Sequence, residues 1–451
     1  MKIFGTDGIR GAVNVYPITP AFFVKLGNAI GYKIYNKAKI LGTQKPRIII
    51  GKDTRLSGYM IESALLSGLV SSGVDVILTG PLPTPAISML TISMRADAAI
   101  MITASHNPFY DNGVKIFNNL GSKISKQEQD EIELLLKEED ISKFLVNSID
   151  FGKARRVDDV VGRYIEFVKS TFPKNIDLKG IKIAIDCANG AAYKIAPEIF
   201  WELGANVVSF NTNPNGININ LDCGSTHKEV ISAKVKECGA DIGISLDGDA
   251  DRILISDENG EIIDGNHIIG IVAKSFLSKG LLKSKTVVST IIANMGLEVY
   301  LNSIGLELLR TKVGDSFVSQ VMSETHCNLG GEPSGHIIIN DYCKTGDAII
   351  ASLQVLAVMM ESKIKASQLS KIFTKTDNLE ENLPLKNLSF NESLIAPAID
   401  NIIKQFANAK LNIVVRKSGT ENILRFFVDG NLPKKDLEFI MLELKNRILG
   451  I

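Results

Sequence analysis

Cysteine is scarce in this 451-residue chain, and the five present (Cys187, Cys223, Cys238, Cys327 and Cys343) are odd in number and form no Cys-x-x-Cys pair. This argues against a disulfide framework and a structural zinc site, and it fits a reducing cytosol. Net charge is lacking too: Lys plus Arg and Asp plus Glu each count 50, so the formal charge is zero. No broad nucleic-acid or anionic-membrane surface is implied, and any affinity for phosphate has to be local. Long apolar runs are also missing. Gly5 and Asp7 interrupt the first residues before a signal-peptide core forms, and the longest apolar stretches, such as 98–103, fall far short of the ~20 residues that a membrane span needs. The expectation is a cytoplasmic protein with no nucleic-acid and no membrane partner.

What is present is a repeated unit. At roughly 100 to 200 residues per domain, the length suggests three or four cores. An apolar run, a helix with apolar spacing of three and four, a Gly and a second apolar run occur three times: 47–50 to 74–78 around Gly73, 181–185 to 207–208 around Gly204, and 287–288 to 306–309 around Gly305. Continuous β-branched runs read as buried parallel strands. Ala96-Asp97 leads into Ser105 as Ala240-Asp241 leads into Asp247, which puts both loops at the carboxyl ends of strands, where open α/β sheets bind ligands. The last segment differs: 412–415 and 423–428 read as an antiparallel pair, and Leu437, Ile440, Met441, Leu444 and Ile448 form a helical apolar face. The expected fold class is α/β, with three similar mixed α/β domains (1–155, 156–256 and 257–370) and a smaller C-terminal α+β domain (371–451).

Four polar loops carry the candidate chemistry. Asp247, Asp249 and Asp251 are spaced by two, which in an extended backbone points all three carboxylates the same way. Crowded carboxylates repel unless a cation lies between them, and hard oxygen ligands select Mg²⁺ or Ca²⁺. An EF-hand does not fit, because Arg252 stands where its loop needs Gly and 253–255 continues as strand. Ser105 follows the run 98–102, and beside such a cage it is a candidate phosphoryl carrier whose phosphate oxygens the metal can bind. Lys115 is placed to neutralise the transferring group or to move a proton. Arg416, Ser418, Gly419 and Thr420 form a basic hydroxyl-rich turn suited to an unreacting phosphate, with Arg425 as a further partner. Glu332, Ser334 and His336 suit sugar hydroxyls or an amine, with His336 as a general acid or base.

Together, the segments 4–11, 104–113, 247–252, 331–336 and 416–421 resemble the α-D-phosphohexomutase superfamily along nearly the whole chain, and within it the branch that acts on glucosamine phosphates. The resemblance implies a four-domain, heart-shaped enzyme with a central cleft. Phosphorylated Ser105 would convert glucosamine 6-phosphate to glucosamine 1-phosphate through a bisphosphate intermediate, on the route to UDP-N-acetylglucosamine. It also implies Mg²⁺ held by Ser105, Asp247, Asp249 and Asp251, and charge stabilisation by Arg10, Lys115 and Arg252. A proton-shuttling His336, a hexose 1,6-bisphosphate activator and a homodimer complete the set. A mutase for glucose or mannose phosphates and a non-catalytic phosphosugar-binding protein are the alternatives. Pro333 and Asn422 stand where that branch usually has Gln and Pro.

Overall fold

The computed structural model describes residues 3–5, 7–385, 391–417 and 423–449. Its first sheet contains β1 (Ile9–Ala12), β2 (Arg47–Lys52), β3 (Asp75–Pro81), β4 (Ala98–Ile102), β5 (Asp111–Asn118) and β6 (Ala154–Arg156), in the order β1-β5-β4-β2-β3-β6. The second holds β7 (Lys182–Asp186), β8 (Asn206–Phe210), β9 (Ile242–Leu246), β10 (Ile253–Asp257) and β11 (Ile262–Ile263), in the order β11-β10-β9-β7-β8. The third is β12 (Thr286–Thr290), β13 (Glu307–Thr311), β14 (Leu329–Gly331) and β15 (Ile337–Ile339), in the order β13-β12-β14-β15. A four-strand core recurs in all three: β5-β4-β2-β3, β10-β9-β7-β8 and β15-β14-β12-β13. The last three strands of each core are parallel and the first runs against them.

The three repeats seen in the sequence are the β2–β3, β7–β8 and β12–β13 crossovers, whose helices Gly58–Ser71, Ile195–Glu202 and Met295–Ser303 end at glycines with positive φ (Gly73 87°, Gly204 98°, Gly305 79°). A side chain there would meet its own backbone, so glycine ends each helix at little cost. The second sheet extends past residue 256, where the sequence places a boundary. A tight turn at 258–260 folds the chain back, so that β11 pairs with β10. The remaining sheet, β16 (Asp377–Pro384), β17 (Leu411–Lys417) and β18 (Ile423–Gly430), is antiparallel and is covered by the helix Lys434–Leu449 through the five apolar residues expected from its spacing.

One continuous apolar core runs through the first three units, from Ile49 through Ile244 to Met359, while the fourth unit has a core of its own. The first three sheets therefore hold their strand ends in fixed relation, and the hairpins leaving β4, β9 and β14 converge. No helix among the described residues is long and apolar enough to cross a membrane.

Candidate active site

β4 is buried along its whole length and delivers the chain into a turn at Thr103. Ser105 adopts a left-handed φ of 51°, which costs a non-glycine residue on the order of 1–3 kcal/mol. The backbone around it holds that conformation: Ser105 N–H donates to Thr103 Oγ1 at 2.9 Å, and Thr103 Oγ1 donates to Asp53 Oδ2 at 2.7 Å. The result aims the fully buried Ser105 Oγ at the aspartates. It donates to Asp247 Oδ2 at 2.6 Å and lies 3.4 Å from Asp251 Oδ1.

The three aspartates do converge, though by a different route from the extended strand that their spacing suggests. β9 ends at Leu246, the chain turns through 248–250 with Ala250 at φ 57°, and β10 resumes at Ile253. Ala250 N–H closes the turn on Asp247 O at 3.0 Å, and Asp251 and Arg252 N–H donate to Asp247 Oδ1, each at 3.1 Å. The tightness of this β9–β10 turn is what brings one oxygen of each carboxylate within 4.8 Å of the others.

Burial, and then repulsion from Asp251 and Asp249, hold the Asp247 carboxyl well above the ordinary carboxylate range. Burial also opposes ionisation of Asp251, but Lys115 and then His336 outweigh it and hold that group well below the range. Full ionisation of the cluster is thus opposed by burial and mutual repulsion. Asp249 Oδ1 is buried and has no hydrogen-bond partner among the described residues, although its Oδ2 accepts from Thr84 Oγ1 and Lys115 Nζ. An orphaned carboxylate oxygen among three mutually repelling carboxylates fits a hard divalent cation.

Cations ring the cluster. Lys115, on β5, places Nζ 2.7 Å from Asp249 and 2.5 Å from Asp251. Its burial would favour the neutral amine, yet Asp249, Asp251 and Asp7 hold it protonated. Arg10 lies on β1 opposite Gly113 and is ion-paired with Asp7. Arg252 reaches back to the serine loop and donates to His106 Nδ1 at 3.0 Å. Burial, Arg252 and Arg10 push the His106 ring down to about 3, so it accepts as a neutral imidazole.

The β14–β15 hairpin supplies the third loop and bonds directly to the second, Ile253 N–H donating to Gly335 O at 3.1 Å. His336 lies 3.7 Å from Asp251 and 3.6 Å from Asp315, and its Nε2 accepts Gly346 N–H at 3.0 Å. Burial would lower its pKa, but Asp251 and Asp315 prevail and raise it. Glu332 is buried, accepts Gly314 N–H at 3.2 Å, and is pushed up by burial and by Asp315. Ser334 is exposed on the same loop.

Arg416 and Arg425 face each other across the β17–β18 pair. Burial and Arg425 lower the Arg416 pKa, while Glu332 of the third unit is among the charges that support it. Two guanidinium groups directly opposite repel, and a bound anion relieves that repulsion. Ser418, Gly419 and Thr420, expected in the same phosphate site, lie outside the described residues.

The site also contains residues that sequence reasoning missed. Lys123 is ion-paired with both Asp7 and Asp315, joining the first unit to the third beside His336. Asp53 and Arg55 lie under the serine loop, and Thr84 N–H donates to Asp249 O at 2.9 Å. Asp53-Thr54-Arg55 had a usable signal, a charged pair at the carboxyl end of a buried parallel strand. Lys123 and Asp315 are 192 residues apart and had none.

Three family descriptions match: phosphoglucomutase/phosphomannomutase alpha/beta/alpha domain I over residues 1–143, domain II over 162–260 and domain III over 264–376. The chain belongs to the phosphoglucomutase/phosphomannomutase family, whose three α/β/α domains are the three sheets that present the serine, aspartate and histidine loops. Among its relatives are phosphoglucosamine mutases: that of Agrobacterium fabrum is 48% identical over 433 residues, covering 95% of this chain and 94% of the relative. That of Allorhizobium ampelinum is 46% identical over 452 residues, covering 100% and 98%. A phosphoglucomutase/phosphomannomutase family protein of Burkholderia thailandensis has a solved structure with the same fold (TM-score 0.81, 23% identity, 99% of this chain and 97% of that chain). So does the Aspergillus fumigatus N-acetylphosphoglucosamine mutase solved with GlcNAc-6P and magnesium (TM-score 0.67, 18% identity, 98% and 95%).

Proposed function

We propose that the chain is a phosphoglucosamine mutase that interconverts glucosamine 6-phosphate and glucosamine 1-phosphate through phosphorylated Ser105, Mg²⁺ and a hexose 1,6-bisphosphate. The observation that carries this is the Ser105 Oγ–Asp247 contact of 2.6 Å, a hydroxyl from one domain directed into the carboxylate cluster of another. Asp247, Asp249, Asp251 and a phosphoserine oxygen would hold Mg²⁺, which when bound neutralises charge on the transferring phosphoryl group.

In the forward half-reaction the sugar O1 forms a bond to phosphorus as the bond from phosphorus to Ser105 Oγ breaks. The O1 proton passes to His336. After the bisphosphate turns over in the cleft, Ser105 Oγ bonds to the 6-phosphoryl phosphorus as the bond from phosphorus to O6 breaks, and His336 returns the proton to O6. Lys115 acts as the neutralising cation, since its ammonium is ion-paired with two carboxylates. Arg10 and Arg252 flank it, Glu332 and Ser334 read the sugar, and Arg416, Arg425 and the segment 418–420 hold the phosphate that is not reacting. The four domains implied by the sequence boundaries, a homodimer and a cytoplasmic location belong to the same proposal; the five free thiols and zero formal charge support the location.

Intact-protein mass spectrometry after incubation with glucose 1,6-bisphosphate tests the reaction. Wild type gains one phosphoryl group and Ser105→Ala gains none; an equal gain in both ends the proposal. Turnover with glucosamine, glucose and mannose phosphates tests the sugar, with the glucosamine phosphate expected to be fastest.

A further inference from the structure

Arg55 is fully buried and takes no part in the transfer steps above, yet its guanidinium lies directly beneath the nucleophile. Its NH2 donates to Ser105 O at 2.9 Å and to Asn107 O at 2.9 Å, and its NH1 donates to Pro108 O at 3.1 Å. The same two carbonyls, Ser105 O and Asn107 O, also accept from Asn220 Nδ2 of the second unit, at 2.8 and 3.0 Å. Asn220 is itself set in a left-handed conformation (φ 57°), with its N–H on Ala188 O at 2.9 Å. Arg55 is oriented by Asp53, whose Oδ2 lies 3.0 Å from Arg55 Nε and whose Oδ1 accepts Arg55 N–H at 2.9 Å. The carbonyls of the serine loop are therefore gripped from two domains while the hydroxyl faces the metal cluster of the second.

We propose that Arg55 and Asn220 are positioning residues that together fix the Ser105 loop, so that the nucleophile is aimed only while the second domain is docked against the first. Guanidinium and amide act on the side of the loop away from the reaction, touch neither substrate nor phosphorus, and work through the backbone of Ser105. Asn220 makes the device an interdomain one, since it is the donor that leaves if the two units separate. The inference rests on the mutase reading above.

Full-length wild type, Asn220→Ala, Asn220→Asp and Arg55→Lys are mixed with glucose 1,6-bisphosphate and Mg²⁺, and phosphate on Ser105 is followed by quenched intact-protein mass spectrometry beside steady-state turnover of glucosamine 1-phosphate. Asn220→Ala is expected to load Ser105 and turn over about 10- to 100-fold more slowly, the scale of a misaimed reactive group. KM is expected to stay within about threefold, because the sugar and phosphate contacts are untouched. Asn220→Asp, which sets a carboxylate against two carbonyls, is expected to be slower still, and Arg55→Lys to fall with them if it folds. A loss confined to KM, or one that matches the fraction unfolded by near-ultraviolet circular dichroism, overturns the positioning role. Wild type and Asn220→Ala loading equally fast overturns it while leaving the mutase intact, whereas a wild type that takes no phosphate overturns both.

Discussion

In the first unit the chain leaves β4, forms the serine loop and returns in β5; in the second it leaves β9, forms the aspartate loop and returns in β10. The two hairpins occupy equivalent places in equivalent sheets, each with one non-glycine residue in the left-handed region, Ser105 at 51° and Ala250 at 57°. They differ in how they are held. The serine loop carries no charge of its own at Ser105, whose N–H donates to Thr103 Oγ1 and whose carbonyl accepts from Arg55 and Asn220. The aspartate loop is electrostatically frustrated, with the Asp247 carboxyl pushed well above the ordinary range by burial and then by its acidic neighbours, and one Asp249 oxygen without a partner among the described residues. One architecture thus serves two purposes: in one copy the fold restrains a buried hydroxyl in a strained backbone, and in the other it stores repulsion that a divalent cation would relieve.

The largest effect should come from breaking the charged loop. Asp249→Asn removes one ligand and is expected to lower turnover about 10²- to 10³-fold, the scale of losing a preorganised electrostatic group. Metal removal offers the matching test without mutation. Mg²⁺ at about 100 times its Kd should stabilise the wild type by about 2.7 kcal/mol, and this gain should be largely lost in Asp249→Asn. A midpoint of thermal unfolding that ignores Mg²⁺ in the wild type would rule out the cage.

Next in size is the contact between the loops. A Cβ on Gly248 would lie 2.7 Å from Ser105 O, 2.8 Å from Ile219 Cδ1 and 2.9 Å from Asn220 Nδ2, so Gly248→Ala must push the two hairpins apart. A displacement near 1 Å costs on the order of 100-fold in kcat. Gly162, in the helix Val160–Ser170, has open space at its Cβ, and Gly162→Ala should instead add roughly 0.5–1 kcal/mol of stability with kcat unchanged. Equal kcat for the two variants would mean that the loops tolerate separation.

The supports under the loops differ as well. Asp53 carries the serine loop, whereas the aspartate loop leans on the helix Ala348–Ser362, whose Ala348 N–H donates to Ala250 O at 3.1 Å. Asp347 caps that helix, accepts Tyr164 OH at 2.8 Å, and is pushed up to about 6, because burial outweighs its hydrogen bonds. A carboxyl whose folded pKa is raised contributes stability that is complete below about 3.8 and is lost as pH climbs through about 6. Over that window the wild type should lose roughly 2–3 kcal/mol from this residue. Asp347→Asn keeps the cap and the tyrosine partner without the charge, so its advantage over wild type in urea unfolding should be absent at pH 4 and present at pH 8. Parallel pH profiles for the two proteins would contradict the assignment.

Much of this was legible in the sequence. Buried parallel strands announce themselves as uninterrupted β-branched runs, and glycines close the helices, so the three crossovers are legible in the residues alone. Ser105 and the aspartates stood out because polar residues follow directly on apolar strands. Their geometry did not: a spacing of two implies an extended segment, and only tertiary context selects the tight turn with Ala250 left-handed. Asn220, Lys123 and Asp315 escaped because the contacts that matter, Asn220 to Ser105 and Lys123 to Asp315, span 115 and 192 residues, and no local pattern encodes such a contact. The β14–β15 hairpin, a third version of the same loop, was visible through Glu332 and His336 but not as a repeat, since β14 is only three residues long.

The smallest predicted effect makes the sharpest test that the hairpins are equivalent. Asp97 precedes β4 and Asp241 precedes β9, and each makes the same two contacts with the start of the neighbouring strand. Asp97 Oδ2 accepts Arg47 N–H at 2.8 Å and Asp97 N–H donates to Arg47 O at 2.9 Å; Asp241 does the same with Lys182, at 2.8 and 2.8 Å. These clasps set the register of the strand at the end remote from the reacting groups. Asp97→Ala and Asp241→Ala should each lose one side-chain hydrogen bond worth about 0.5–1.5 kcal/mol, with kcat unchanged. The two costs should agree within about 0.5 kcal/mol and add in the double variant, because the sites share no partner. Unequal costs from denaturant titration, or a change in kcat for one variant only, would show that the clasps differ in function and that the likeness of the two hairpins stops at backbone topology.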